Sequence, residues 1–418
     1  MEYKRYKLND IVSVLKKTIN PQKYLQDDFI VYSLPAFDNS KTPEILKGNR
    51  INSNKIVLDN KCILFNKLNL KFKRVWIYNN TFTNAICSTE YIPLVCNNKI
   101  VDLSFLYYYI ISDFFYSKLL GNVSGTSNSH QRIHKEDLLE KEISLPNIII
   151  QQKIVKILKN IDKKIELNNQ INDNLQNLIN NLFIKFFVNF DTYKGNYKES
   201  DLGMIPENFD VDTLGNVISF SNGYGWNSKD MLDNYINNSY KIFKMGNINI
   251  GGGINKAKTK SWIEKDKVEN LEQYISKKGD ILMCMTDMKN SGNPLLGHTA
   301  LIDRDDEFVI NQRVGILRCD KTIGYSYIYT MSNMPDFIND IRSRANSGVQ
   351  VNLTTKGICD TLILVPDNNT LSEFENVAIP LYEQIFINNN ENESLEQLRD
   401  TLLPKLMNGE IDLDKIEI

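Results

Sequence analysis

Hydrophobic and polar positions follow a helical period over one long stretch in the middle of the chain. From Gln151 to Phe187 the sequence reads QQKIVKILKNIDKKIELNNQINDNLQNLINNLFIKFF, with no glycine or proline to interrupt it. A helix over this span is roughly 55 Å long at 1.5 Å per residue, longer than most domains are wide. With Ile154 opening a heptad, the a and d sites are Ile154, Ile157, Ile161, Lys164, Asn168, Ile171, Leu175, Leu178 and Leu182. A second segment, 371–407, carries Phe374, Val377, Leu381, Gln384, Asn388, Glu391, Leu395, Leu398 and Leu402 at the same spacing. Each seam is apolar around a polar centre, as a two-helix coiled coil needs to fix its register. The periodicity also fits two long amphipathic helices in a bundle. Pro380 predicts a kink in the second helix or a late start to it.

Asn168 and Asn388 each lie beside the midpoint of their segment. An antiparallel pair brings midpoints together, so these two amides are the expected helix-register residues and should meet, with Leu182 near the start of the second helix. Facing amides satisfy each other's hydrogen bonds, whereas a slipped register sets them against leucine or isoleucine at a cost of ~1–3 kcal/mol.

The chain also repeats itself, the signature to seek before any other. Placing Pro146 on Pro366 sets Ile133 on Leu353, Leu138 on Ile358, Leu145 on Val365 and Leu182 on Leu402 without a gap. LNDIVS (8–13) likewise matches LGNVIS (214–219). Each half is a globular part followed by a long helix. Strand-like runs such as KCILF (61–65), RVWIY (74–78), DILMCM (280–285), TALID (299–303) and VGILR (314–318) are divided by turn-rich segments. The expected fold is α+β with mixed α/β globular domains and a pseudo-two-fold repeat. Its parts are a first domain (1–148), a long helix (149–190), a linker (191–204), a second domain (205–368), a second long helix (369–410) and a tail (411–418).

Length and composition narrow the class. A chain of 418 residues is too long for one core, and 42% hydrophobic with 24% charged residues describes a folded soluble protein. No apolar run is long enough for a membrane span, and MEYKRYKLND has no apolar signal core, which points to the cytoplasm. Cys62, Cys87, Cys96, Cys284, Cys319 and Cys359 form no CxxC pair, as free thiols in a reducing compartment would be. The net charge of −2 conceals a division. Residues 1–190 carry 26 Lys+Arg against 17 Asp+Glu, residues 191–418 carry 23 against 34, and 371–418 alone carry 3 against 11. The first half suits phosphates and the acidic end suits protein partners.

Catalytic signatures are missing. There is no GxxxxGK[ST] loop, no GxGxxG and no Pro-Pro pair, so the Asn/Asp-Pro-Pro-aromatic motif of amino-methyltransferases is absent. His130 and His134 are four apart but lack the HExxH glutamate, and no metal site is expected. The chain is expected not to be an enzyme by itself and to carry no cofactor of its own.

Several stretches together resemble one family. ISLP (143–146) followed by QQKI and a helix centred on ELNN is similar to the first half of a specificity subunit of a type I restriction–modification system. LFIKFFVNF (182–190) with GMIPENFDVDTLGNV (203–217) resembles that family's join to its second domain. KKGDILM (277–283), VINQRVGIL (309–317) and LEQLRDTLLPKLMNGEI (395–411) are similar to its later strands and its ending. The first domain departs from the pattern, with NKCIL in place of Gly-Asp-Ile-Leu and no recognisable VINQ motif. The resemblance implies two target-recognition domains, each reading half of a bipartite double-stranded DNA site, with the helices as an antiparallel spacer. It further implies DNA methyltransferase subunits using S-adenosylmethionine and restriction/translocase subunits using ATP and Mg as partners. The alternative is a coiled-coil scaffold with two protein-binding domains and no DNA contact.

Candidate DNA contacts follow from both lines. KLNLKFKR (67–74), taken as a strand, puts Lys67, Lys71 and Lys73 on one face with Asn69 among them, and Arg74 ends it, suited to phosphates or equally to a plain amphipathic surface. The loop GTSNSHQRIHKEDL (125–138) offers Ser127, Asn128, Ser129, His130, Gln131 and Arg132. Its counterpart ANSGVQVNLTTKGI (345–358) offers Asn346, Ser347 and Gln350, with Arg342 and Arg344 just before. The resemblance places DNA contacts in such loops, and these side chains can read base edges or phosphates, although a surface turn has the same composition. Tyr224 in NGYGWN, Lys244, Asn247 and Arg313 complete the set.

Overall fold

The computed structural model describes residues 3–39, 41–70, 72–120, 132–288, 295–319, 323–346 and 350–413. They fall into two compact units, residues 1–167 with 391–418, and residues 168–390. No helix among the described residues is long and apolar enough to cross a membrane.

The first unit begins with β1 (Lys4–Lys7), α1 (Leu8–Ile11), β2 (Val12–Val14), β3 (Thr18–Ile19), β4 (Asp28–Tyr32), α2 (Leu34–Asn39), β5 (Glu44–Lys47) and β6 (Lys55–Val57). It continues with β7 (Cys62–Asn66), β8 (Val75–Tyr78), β9 (Ala85–Ser88), β10 (Tyr91–Cys96), α3 (Leu103–Ile111), α4 (Asp113–Leu120), α5 (Lys135–Leu139) and β11 (Glu142–Leu145). The helix α6 (Ile148–Phe183) then starts. One sheet has the order β2-β10-β7-β8, another β3-β6-β9-β4-β5, and β1 pairs with β11.

The second unit holds β12 (Tyr197–Ser200), β13 (Gly203–Pro206), β14 (Asp210–Thr213), α7 (Leu214–Val217), β15 (Ser219–Asn222), β16 (Met231–Leu232), β17 (Ser239–Phe243) and β18 (Trp262–Glu264). Next come β19 (Ile281–Cys284), β20 (Thr286–Met288), β21 (Thr299–Leu301), β22 (Phe308–Ile310), β23 (Val314–Arg318), α8 (Tyr325–Ser332) and α9 (Pro335–Ser343). β24 (Gln350–Asn352), α10 (Thr355–Cys359) and β25 (Leu362–Val365) lead to α11 (Asn368–Met407).

The units are two versions of one architecture. The order β15-β23-β19-β21 repeats β2-β10-β7-β8. β14 pairs with β25 as β1 pairs with β11, and the partners Lys4↔Leu145 and Asp210↔Val365 carry both sequence offsets of the repeat. The central strands β7 and β19 are buried along their whole length, which is why CILFN and ILMC read as unbroken apolar runs and not as alternation. Each long helix starts the same way. Asn147 Oδ1 accepts from the Ile150 NH at 3.0 Å, and Asp367 Oδ1 accepts from the Asn369 and Thr370 NH groups at 3.0 and 3.2 Å. These side chains satisfy amides that have no partner within the helix. One difference separates the copies: β6 adds to β9, whereas β18 adds to β17.

The helices pair antiparallel within each unit. In the first, Lys164 meets Glu391 and Lys153 Nζ donates to the Leu413 carbonyl. In the second, Asn388 Nδ2 donates to Asn172 Oδ1 at 2.8 Å, and Leu182 packs in the core that holds Leu371 and Phe374. Asn168 and Asn388 are both buried, and the amide that Asn388 reaches lies one turn beyond Asn168. The seam departs from the strict heptad. Burial passes from Ile161 to Asn168, Ile179 and Phe183, while Ile171, Leu178, Val377 and Leu398 are exposed. An α-helix drifts against a seven-residue repeat, so a straight helix moves those a and d sites out of the seam.

Pro380 neither delays nor ends α11, which begins at Asn368. It lies on the exposed side of the helix, as does Asn376, whose carbonyl the proline leaves without its helical donor. Residues 191–204, expected as a linker, contain β12 and the start of β13, which pair as a hairpin. Leu413, expected in a tail, is buried in the first core.

Candidate nucleic-acid interface

In the first unit neither residues 67–70 nor residues 72–74 form a strand. They connect β7 to β8, with Asn69 in the left-handed region at φ 52. An extended run cannot pass through such a residue, and Leu70 turns into the core, so the alternation of basic and apolar residues belongs to a loop. Asn66 shapes its start, with Oδ1 accepting from the Leu68 NH at 3.0 Å. Leu68 bridges to Arg132, the Ile133 NH donates to the Lys67 carbonyl at 3.0 Å, and the Lys67 NH donates to the Glu90 carbonyl at 3.0 Å. Three segments distant in sequence thus meet here.

Most of the cations gathered there are already paired. Lys73 binds Asp113 and sits over the Tyr116 ring. Arg74 forms a fork with both carboxylate oxygens of Asp38, at 2.7 and 2.8 Å, and stacks on Phe72. Its side chain is 14% exposed, so Arg74 is a brace between loop and α2 more than a free phosphate contact. Arg132 Nη2 is held by both oxygens of Glu90. Lys67 has no side-chain partner among the described residues, and Asn69 Oδ1 is buried without one. Lys71, Ser127, Asn128, Ser129, His130 and Gln131 lie outside the described residues, as does Ser347.

The second unit builds the same junction with longer pairing. β20 pairs with β24, so Met288 faces Gln350 and Thr286 faces Asn352. Thr286 Oγ1 donates to Asn352 Oδ1 at 2.8 Å, and the Asn352 NH donates to Asn346 Oδ1 at 3.0 Å. Asn346 is therefore occupied in closing the loop. The Gln350 carboxamide has no hydrogen-bond partner among the described residues. Arg342 Nε donates to the Leu296 carbonyl at 3.0 Å, and burial lowers its guanidinium from the usual value against the pull of Asp287. Arg344 is paired along its own helix with Asp340.

Asn247 is buried and fully engaged: it accepts from the Lys244 NH and donates to the Asn255 carbonyl and Thr259 Oγ1. It caps a turn and has nothing left for DNA. Lys244 Nζ donates to Ser261 Oγ at 2.7 Å. Tyr224 and Arg313 do come together. The Gln312 NH donates to the Tyr224 carbonyl and the Tyr224 NH to the Ile310 carbonyl, both at 2.9 Å. The Met285 NH donates to the Arg313 carbonyl, which joins this turn to the strand leading into β20. Tyr224 and Arg313 are exposed, and so is Gln312, a neighbour that sequence reasoning passed over. Thr286, Asn352 and Glu90 were also missed. Only the two offsets of the repeat could have pointed to them.

His298 is buried beside this region, with Nδ1 accepting from the Gly251 NH. Burial lowers its pKa, and Arg342 lowers it further. Among the described residues no three His, Cys, Asp or Glu side chains are grouped to hold a metal ion.

The profile of the type I restriction modification DNA specificity domain matches residues 1–177. A curated relative, the type I restriction enzyme MjaVIII specificity subunit of Methanocaldococcus jannaschii, is 23% identical over 330 residues, covering 78% of this chain and 74% of that one. The HindI specificity subunit of Haemophilus influenzae is 28% identical over 102 residues, 24% of this chain and 22% of that one. Among solved structures, the type I restriction–modification S subunit from M. genitalium is similar with a TM-score of 0.53 at 17% identity, covering 97% of this chain and 96% of that one. That likeness concerns the fold. The sequence profile stops at 177, and the repeated strand order carries the comparison into the second half.

Proposed function

We propose, since the chain belongs to the specificity subunits of type I restriction–modification systems, that each unit reads one half of a bipartite duplex DNA site. The observation that carries this reading is the junction present in both units. Leu68 meets Arg132 in one, and β20 meets β24 in the other. Each joins the loop after the central strand to the segment before a short helix, and holds a half-buried Lys67 in the first unit and a half-buried Gln350 in the second, neither side chain with a hydrogen-bond partner among the described residues. Cations there suit phosphates, which position the protein, and amides suit base edges, which specify sequence.

The paired helices serve as the spacer and as the docking face for methyltransferase subunits. Those subunits supply the chemistry with S-adenosylmethionine, and restriction/translocase subunits add ATP-driven steps with Mg. This chain contributes recognition and is not itself the catalyst. A scaffold that binds only proteins is not favoured.

The test exchanges residues 1–148 for the matching segment of a relative and measures salt-dependent binding of duplex DNA by the chain with its methyltransferase subunits. One half of the recognised sequence should change and the other persist. A change in both halves, or binding without sequence preference, refutes two independent readers.

A further inference from the structure

A turn that the two units share in geometry differs between them in charge. In the second unit β22 passes to β23 through Asn311, Gln312 and Arg313, with Asn311 Oδ1 accepting from the Arg313 NH at 3.4 Å. In the first, β9 passes to β10 through Ser88, Thr89 and Glu90, with Ser88 Oγ accepting from the Glu90 NH at 3.2 Å. The flanking strands have matching neighbours. β9 runs parallel to β4 and β22 to β17, while β10 and β23 run antiparallel to β7 and β19. Thr89 therefore corresponds to Gln312, and Glu90 to Arg313. This is the first-domain counterpart of VINQR that the sequence did not reveal.

The chemistry at these places is inverted. Glu90 is neutralised by Arg132, whose counterpart at the repeat offset is the uncharged Asn352. Gln312 and Arg313 are exposed, and neither side chain has a hydrogen-bond or ion-pair partner among the described residues. The backbone of the turn is nevertheless closely packed. A Cβ on Gly223 would come within 2.3 Å of the Asn311 carbonyl oxygen, and one on Gly225 within 2.8 Å of Gln312 Oε1. Only glycine lets the 222–227 loop lie so close to the turn. Tyr224 is fixed against Trp226 and Tyr274, with ring centroids 4.9 and 5.2 Å apart. A guanidinium fork and a carboxamide thus project from a pre-formed turn. A phosphate needs only the charge, whereas this pair also matches the acceptor pattern of base edges in the major groove.

We propose that the Gln312–Arg313 turn reads bases in the second half-site, Arg313 taking the O6 and N7 acceptors of a guanine, and that Thr89–Glu90 selects a different sequence in the first. This rests on the DNA-recognition reading above. The test uses the full chain with its methyltransferase subunits and duplex libraries randomised in one half-site at a time. Arg313→Ala, and Arg313→Lys with charge retained, should each lower preference for guanine at one position of the second half-site by roughly 5- to 150-fold. The first half-site profile should not move, whereas Glu90→Gln should alter that profile alone. Binding that weakens equally on every sequence, or an unchanged second profile, overturns the assignment while leaving DNA recognition intact. A wild-type complex with no preference at either half-site would overturn the underlying reading as well.

Discussion

Replacing Asp162 by alanine should loosen the first unit where α3 meets the helix pair. Its Oδ2 accepts from the Tyr108 hydroxyl at 2.5 Å, and its Oδ1 accepts from Arg399 Nη1 at 2.9 Å. One carboxylate therefore joins α3, α6 and α11. Tyr108 is buried, and burial together with the bond to Asp162 raises its pKa far enough that it stays a neutral donor at any working pH. The Arg399 and Asp162 side chains are 28% and 37% exposed, so solvent screens their attraction and the ion pair contributes no more than ~1 kcal/mol. Loss of the acceptor leaves the Tyr108 hydroxyl buried without a partner, at ~1–3 kcal/mol. Asp162→Ala should then cost about 2–3 kcal/mol, and Arg399→Ala no more than about 1 kcal/mol. Asp162→Asn, which keeps an acceptor, should fall between. A chain of two units need not unfold in one step, so the readout is hydrogen-exchange protection of α3 amides, with a double-mutant cycle for the pair. Equal losses for Asp162→Ala and Arg399→Ala would refute the reasoning, because the stranded hydroxyl is what separates them. At the matching place in the second unit the Tyr382 hydroxyl meets Thr330 Oγ1 and Gln176 Nε2, all neutral, so added salt should weaken only the first junction.

Three further outcomes are expected. Gly223→Ala should displace the 222–227 loop from the Asn311 carbonyl and degrade selectivity at the second half-site alone, as measured on half-site libraries. Phe187→Ala should cost ~3–5 kcal/mol in urea unfolding followed by tryptophan fluorescence and circular dichroism, since Phe187 is buried against Tyr327 and Phe374 at 4.9 and 5.2 Å between ring centroids. The His298 pKa is lowered by burial and Arg342, so below pH ~6.5 the unfolded chain takes up the proton first. Stability should be complete above that pH and fall beneath it by up to ~1.4 kcal/mol per unit. His298→Asn should flatten that slope between pH 7.5 and 5.5.

The long helices and the duplication were legible because both leave periodic marks in the sequence. The Lys4↔Leu145 and Asp210↔Val365 partners reproduce the offsets already visible in LNDIVS against LGNVIS and in Pro146 against Pro366. The contact residues were not legible, for local and distant reasons. KLNLKFKR alternates like a strand, yet one left-handed residue, Asn69, makes it a loop. The carboxylates that hold Lys73, Arg74 and Arg132 come from Asp113, Asp38 and Glu90, which no spacing rule connects to them. Asn247 looked like a reader because its composition suits one, but a turn consumes all its hydrogen bonds. Ile171 and Leu178 fit a heptad and lie outside the seam, because a straight helix has no obligation to a period of seven.

The first unit draws on two stretches of chain that are far apart in the order of synthesis. Its core holds Leu8, Phe105 and Ile154, and also Leu403, Leu406, Met407 and Leu413. The second unit is contiguous, from 168 to 390. As the ribosome delivers the chain, residues 3–167 emerge first and must wait with an apolar face open, while everything the second unit needs arrives and can close on itself. Only when residues 391–413 appear does the older half acquire the rest of its core, so the half that is translated first is the half that matures last. A chain truncated after Asn390 would carry one finished unit and one that chaperones or proteases would find open.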